Sequence, residues 1–288
     1  MSALVLAFDT SSEVCAVALG RRHDDSVEFV ASADFEAPRA AMSRLLPSVV
    51  GLLDGAGVAL SEIGEVVVGR GPGSFTGVRI GVATAKGLAR GLGLPLYGVG
   101  TLDAVAWALP TREQASEGAL LGVVGDAMRG EVYPSLFRFA GGEPVRLGPD
   151  RVARPHEAAL EWASLDEPLV LAGNGLAKHE RDFVDALGQR ALVAPPENWT
   201  VSGKGLLRAY ERALRTREQG TGDVGALLPI YTRLSDAEQA EQERHGRATG
   251  GMPESGVHGP SESPPAAPSP GATSAGETRG GGCPDASS

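Results

Sequence analysis

An aspartate and two hydroxyl residues, Asp9-Thr10-Ser11, close the first apolar run of this chain and are the first group in it able to do chemistry. A carboxylate placed where a strand gives way to a turn can hold a divalent cation through water, and the hydroxyls can donate to a phosphate. The same three residues can instead satisfy their own backbone in an Asx or Ser/Thr turn, and residue type leaves both readings open. The second group is the glycine turn Gly69-Arg70-Gly71-Pro72-Gly73-Ser74-Phe75-Thr76-Gly77-Val78-Arg79-Ile80-Gly81, set between an apolar run at 65–68 and an alanine- and glycine-rich helical segment ending near Leu92. A strand, a glycine turn and a helix start let the backbone approach an anion at a helix N-terminus. The turn lacks the Gly-Lys-Ser/Thr ending of a Walker A loop and does not match Gly-x-Gly-x-x-Gly. Asp9, Thr10, Ser11, Gly71, Gly73 and Ser74 are therefore the candidate nucleotide- or phosphate-proximal residues. Gly77, Gly81, Thr84 and Ala85 form a small-residue stripe suited to close helix packing, so phosphate approach and tight packing stand level.

Other constellations are weaker. The five histidines, His23, His156, His179, His245 and His258, never pair at i, i+3 or i+4, so no metal ligand set is expected. There is no Gly-x-Ser-x-Gly elbow, and Ser74 has no histidine placed to activate it, so no catalytic residue is assigned. In Asp126-Ala127-Met128-Arg129-Gly130-Glu131-Val132-Tyr133, Arg129 reads as a hairpin tie between Asp126 and Glu131. Cys15 sits in an apolar strand pattern as a small buried hydrophobe and Cys283 lies far from it in sequence, so no disulfide is expected and a reducing cytoplasm fits. No basic segment precedes the first apolar run, as a signal peptide would need, and no stretch approaches the ~20 apolar residues of a membrane span.

The elements that must position these groups follow from hydrophobic period. Apolar runs at 3–8, 14–19 and 26–33, separated by turn residues, predict three strands joined by hairpins. From 36 to 53 the period becomes helical, with Met42, Leu45, Leu46, Val49 and Leu53 on one stripe. Pro47 inside it predicts a kink or a late start. Val50 and Leu52 widen that stripe, so it can form core and also a docking surface for another helix pair. A strand at 65–68, a helix at 76–92, a strand at 94–99 and a helix at 101–109 complete the first half. Strands at 120–124 and 131–139 open the second, where Asp126 follows its strand as Asp9 follows the first, a weak internal repeat. A strand at 169–172, helices at 176–187 and 203–217, and a last strand at 229–233 follow. From Gly246 onward Met252 and Val257 are the only larger aliphatic residues among 43, which predicts a disordered tail. The net charge of −10 argues against broad charge-driven nucleic-acid binding, so any RNA role needs a partner to supply basic surface.

Phe8-Asp9-Thr10-Ser11, the glycine turn, Gly98-Val99-Gly100-Thr101-Leu102, the Asp126 to Tyr133 motif and Pro229-Ile230-Tyr231-Thr232-Arg233 occur in that order. Over roughly residues 3–240 the sequence closely resembles the TsaB (YeaZ) family, dimerisation subunits of the machinery that makes threonylcarbamoyladenosine (t6A) in tRNA. The resemblance implies an α/β, actin-like and hexokinase-like (ASKHA) fold of two similar lobes with mixed sheets, expected at 1–110 and 111–240, before the tail at 241–288. It implies a non-catalytic scaffold that forms a heterodimer with TsaD, works with the ATPase TsaE and meets tRNA only through the complex, with a homodimer when alone. TsaD would then transfer threonylcarbamoyl to adenosine 37 of tRNAs reading ANN codons. No cofactor of its own is implied, and ATP or ADP would sit at the partner interface. TsaD holds its metal through a histidine pair, whereas the segment 100–106 here contains no histidine.

In that family the helix corresponding to 36–53 and the helix after the glycine turn build the dimer interface. This makes Met42, Leu45, Leu46, Val49, Leu53, Gly77, Gly81 and Thr84 the expected interface residues. Many relatives carry a histidine near the start of the first helix, where this chain has Ala40-Ala41-Met42. Two competing readings are a nucleotide-binding phosphatase or kinase-like enzyme using Asp9, the glycine turn and Asp126, and a peptidase, a label the broader family has carried. The missing nucleophile–base pair counts against the peptidase.

Overall fold

A computed structural model describes residues 2–37, 40–109, 117–218 and 220–232. The expected tail at 241–288 lies outside the described residues. The first three strands, β1 (Ser2–Asp9), β2 (Val14–His23) and β3 (Ser26–Ser32), form an antiparallel meander. A two-residue strand β4 (Phe35–Glu36) also pairs with β2. Helix α1 (Ala41–Ala56) then crosses to β5 (Ile63–Gly69), and α2 (Phe75–Leu92) to β6 (Leu96–Val99). Both strands lie parallel to β1, as helical crossovers require, giving the order β3-β2-β1-β5-β6. Helix α3 (Thr101–Ala108) follows.

The second half repeats this plan: β7 (Leu120–Asp126), β8 (Val132–Ala140), β9 (Glu143–Arg146), α4 (Pro155–Ala163), β10 (Leu169–Ala172), α5 (Leu176–Leu187), β11 (Ala191–Val193) and α6 (Gly203–Thr216). Its sheet order is β9-β8-β7-β10-β11, again an antiparallel meander with two parallel strands added beside its first member. The repeat hinted at by Asp9 and Asp126 is thus one of topology, and the fold is the two-lobed actin-like α/β arrangement.

Strand alternation decides where each core lies. Val5 and Ala7 of β1 face inward to a core shared with α3, α6 and Leu121, Val123 and Phe137 of the second sheet. Leu4, Leu6 and Phe8 face outward to α1 and α2, while Leu120 and Val124 meet Trp162 and Phe183 of α4 and α5. Helix α6 packs back on the first sheet, where the Tyr210 hydroxyl donates to Glu65 at 2.7 Å and Arg22 pairs with the same carboxylate at 2.7 Å. Arg146 of β9 reaches α3 through two bonds of 2.9 Å to Asp103 and a third of 2.9 Å to Asp150. No helix among the described residues is long and apolar enough to cross a membrane.

Several expected boundaries move. Glu36 belongs to β4 rather than to a helix, because its ladder with Val14 holds the chain on the sheet, so α1 starts late, at Ala41, with Pro47 inside it. Residues 229–232 form no strand: Ile230 N–H makes a single bond of 2.8 Å to the Arg70 carbonyl, beyond the end of β5, and no ladder follows. Arg233 lies outside the described residues. Helix α4 and strands β9 and β11 were not expected. Pro155 at the first turn of α4 and Glu157 just after it are the start signals that marked that helix.

Candidate functional site

Asp9 ends β1 fully buried. Its Oδ1 accepts from the Ser11 N–H at 2.6 Å, the Asx turn that residue type allowed. Its Oδ2 accepts from the Thr101 hydroxyl at 2.6 Å. Thr101, the first residue of α3, is the hub. Its Oγ1 also accepts from Gly71 N–H and from the Ser11 hydroxyl, each at 3.1 Å, while its own N–H donates to the Gly71 carbonyl at 2.8 Å. Burial pushes the Asp9 carboxyl above its ordinary value, against the hydrogen bonds from Ser11 and Thr101 that favour the ionised form. Thr101 stood inside a quoted motif but was not singled out. A hydroxyl at the start of the helix after β6 was the signal, and only the sheet order brings it to Asp9.

The glycine turn packs on the same three residues. A Cβ at Gly69 would overlap the Asp9 carboxylate, at Gly73 the Ser11 carbonyl, at Gly77 the Thr10 carbonyl and at Gly81 the Thr10 hydroxyl. Thr10 donates its hydroxyl to the Gly77 carbonyl at 2.7 Å, and the Ser74 N–H donates to the Ser11 carbonyl at 2.6 Å. At the start of α2 the Ser74 side chain accepts from Gly77 N–H, occupying a donor that an anion would need. The glycines are therefore consumed by contact with Asp9-Thr10-Ser11, and the packing reading of the turn accounts for their spacing.

The space left between this turn and its counterpart in the second half, Gly173 and Asn174, is a cavity of about 20 Å³ lined by Ser11, Gly73, Thr101, Asp126 and Asn174 among others. That is room for about one water molecule and not for a nucleotide. Asp126 accepts from Met128 N–H at 2.9 Å and pairs with Lys178, so its cationic partner is Lys178 rather than Arg129. No group of three or more metal-ligating side chains occurs among the described residues. Cys15 is buried beside Ala37 and Ala41, and burial pushes its thiol up to about 11.

The expected interface residues divide sharply. Leu45, Val49 and Leu53 are buried in the chain's own core, and Gly77 and Gly81 are buried against Thr10, so none of these five presents a surface to another chain in this fold. Thr84 is half-buried. Met42 and Leu46 are exposed, at 75% and 46%, and Val50, at 54%, extends them to an apolar row at i, i+4 and i+8. Arg44, Ser48 and Gly51 lie toward Phe35 on the other flank of α1, so the row looks toward α2, whose Ile80 packs against the cluster holding Ala41. At the N-terminal end of α2, Arg79 lies 3.7 Å over the Phe75 ring and donates through Nε to the Tyr231 hydroxyl at 3.0 Å. That contact fastens the C-terminal strap beside the glycine turn.

Residues 35–207 match a family model described as TsaD, tRNA N6-adenosine threonylcarbamoyltransferase. The chain is 29% identical over 238 residues to the tRNA threonylcarbamoyladenosine biosynthesis protein TsaB of Bacillus subtilis, covering 81% of this chain and 96% of that one. It is 44% identical over 130 residues to the protein of the same name from Escherichia coli, covering 45% and 52%. Among solved structures, YeaZ from Pseudomonas aeruginosa matches at 34% identity with a TM-score of 0.64, covering 80% of this chain and 99% of that one.

Proposed function

The chain belongs to the TsaB (YeaZ) family, and from that premise we propose that it serves t6A formation in tRNA as a non-catalytic activating subunit docked to TsaD. The observation that carries this reading is the exposed apolar row Met42–Leu46–Val50 on a helix pair that the rest of the fold leaves uncovered. Three large apolar side chains aligned on one helix are costly to leave in water, and a second helix pair would cover them. The chemistry then belongs to TsaD, acting on adenosine 37 of tRNAs that read ANN codons, with TsaE as the ATPase and any ATP or ADP held at the partner interface. This chain contributes a fixed surface. The hydrogen bonds centred on Thr101 join β1, the glycine turn and α3, and α2 starts from that turn, so the docking helix is held from beneath.

The enzyme readings find less support. A phosphatase or kinase-like reaction at Asp9 needs a cleft for its nucleotide, and the cavity beside Asp9 is water-sized. A peptidase needs a nucleophile with its base, and no hydrogen bond joins a histidine to a serine, threonine or cysteine side chain among the described residues. The test is reconstitution: purified chain with TsaD, TsaE, tRNA and a source of threonylcarbamoyl-adenylate, counting modified adenosine with and without the chain. Modification that depends on a chain inert alone is expected. Full modification in its absence would overturn the proposal.

A further inference from the structure

The docking face carries a charge that the chain as a whole does not. Helix α1 balances Arg44 against Asp54, while α2 bears Arg79, Lys86 and Arg90 and no acid, so the two helices together are +3 in a chain of −10. The three cations stand at spacings of seven and four residues, which on a helix is one row, and the buried positions of α2 (Val78, Val82, Ala85 and Ala89) occupy the opposite side. The ion pairs among the described residues are made by other cations, such as Arg22, Arg138 and Arg146, and none by these three. Arg79 is also held in place, its guanidinium fixed between the Phe75 ring and the Tyr231 hydroxyl, so binding would order it at little further cost.

We infer that this row selects the partner by charge: the face accepts an acidic, apolar helix pair of a second actin-like chain and disfavours a second copy of itself. In a two-fold self-association the same patch meets itself, which brings the +3 surface toward an identical +3 surface over the apolar row. Like charges facing across an interface cost stability, whereas an acidic counterpart gains attraction and faster encounter. The apolar row Met42–Leu46–Val50 gives adhesion that does not discriminate, and the cationic row supplies the discrimination. This inference rests on the docking face proposed above.

The test measures association of the full chain with purified TsaD by stopped flow, and its self-association by sedimentation, at low and high salt. The double variant Lys86→Glu/Arg90→Glu leaves the Arg79–Tyr231 contact intact. It is expected to slow association with the partner by about tenfold or more and to reduce or reverse its salt dependence. Mixed with the unaltered chain, it should pair with it more tightly than the unaltered chain pairs with itself. An unchanged rate and salt slope would overturn the charge selection. If Met42→Glu/Leu46→Glu meanwhile abolishes the complex, the docking face stands and only the selection fails; if neither variant has an effect, the face itself is wrong. A double variant that binds the partner normally, while its complex loses tRNA, would assign the row to RNA phosphates and likewise overturn the inference.

Discussion

Replacing Thr101 by valine keeps the side-chain shape and removes one oxygen, and that oxygen is expected to be worth more than any single methyl group in the core. Thr101 Oγ1 donates to the buried Asp9 carboxylate at 2.6 Å and accepts from Gly71 N–H and the Ser11 hydroxyl at 3.1 Å each. Losing the bond to a charged acceptor costs roughly 1.5–3 kcal/mol, and leaving the Gly71 N–H buried without a partner adds about 1–3 kcal/mol. The expected loss for Thr101→Val is about 3–5 kcal/mol, or on the order of 10 °C in Tm for a domain of this size. Thr101→Ser keeps the hydroxyl and should cost only about 1 kcal/mol for the missing methyl. Urea unfolding of the three proteins, followed by circular dichroism, measures both.

The pH profile adds a second check. Burial raises the Asp9 carboxyl above its ordinary 3.8, so the folded state holds that proton more tightly than the unfolded state does. The stability this group contributes is therefore full below the unfolded value and is lost as pH rises through the folded one. Removing the Thr101 donor takes away a bond to the ionised form and raises the carboxyl further. The deficit of Thr101→Val should accordingly be largest at neutral pH and shrink on acidification toward pH ~4. A serine variant less stable than the valine variant, or a deficit that grows on acidification, would refute the hydrogen-bonded hub.

Gly77→Ala should destabilise the fold by several kcal/mol, because its Cβ overlaps the Thr10 carbonyl, whereas Gly87→Ala on the same helix meets no atom within 4 Å and should gain about 0.5–1 kcal/mol from helix propensity. Equal melting temperatures for the two would show that the turn gives way. Leu45→Glu should unfold the chain by placing a charge in its core, while its neighbour Leu46→Glu should leave the melting temperature within a degree or two and abolish co-purification with TsaD. The reverse pattern would exchange the buried and docking faces of α1. Cys15, buried with its thiol pushed up to about 11, should resist a thiol reagent at pH ~8 until the chain is unfolded.

Local chemistry along the sequence determined much of this protein. Strand β1, the start of α2 and the register of Leu45, Val49 and Leu53 follow from apolar period and turn residues, which act over a few positions and so can be read without a fold. The long glycine turn was legible too, since its glycines had to meet something at close range. What they meet was not: phosphate and tight packing both call for glycine, and only the placement of β1 beside β5 puts Asp9-Thr10-Ser11 against them. The same holds for Thr101, 92 residues from Asp9 yet within 2.6 Å of it. On α1, period alone joined Leu45 and Leu46 in one wide stripe, and the sheet beneath decided which of them is core and which is surface. Hydrophobic pattern is a property of neighbours along the chain, but burial is fixed by whichever distant segment arrives to cover it, and that is settled only when the two sheets and their helices assemble.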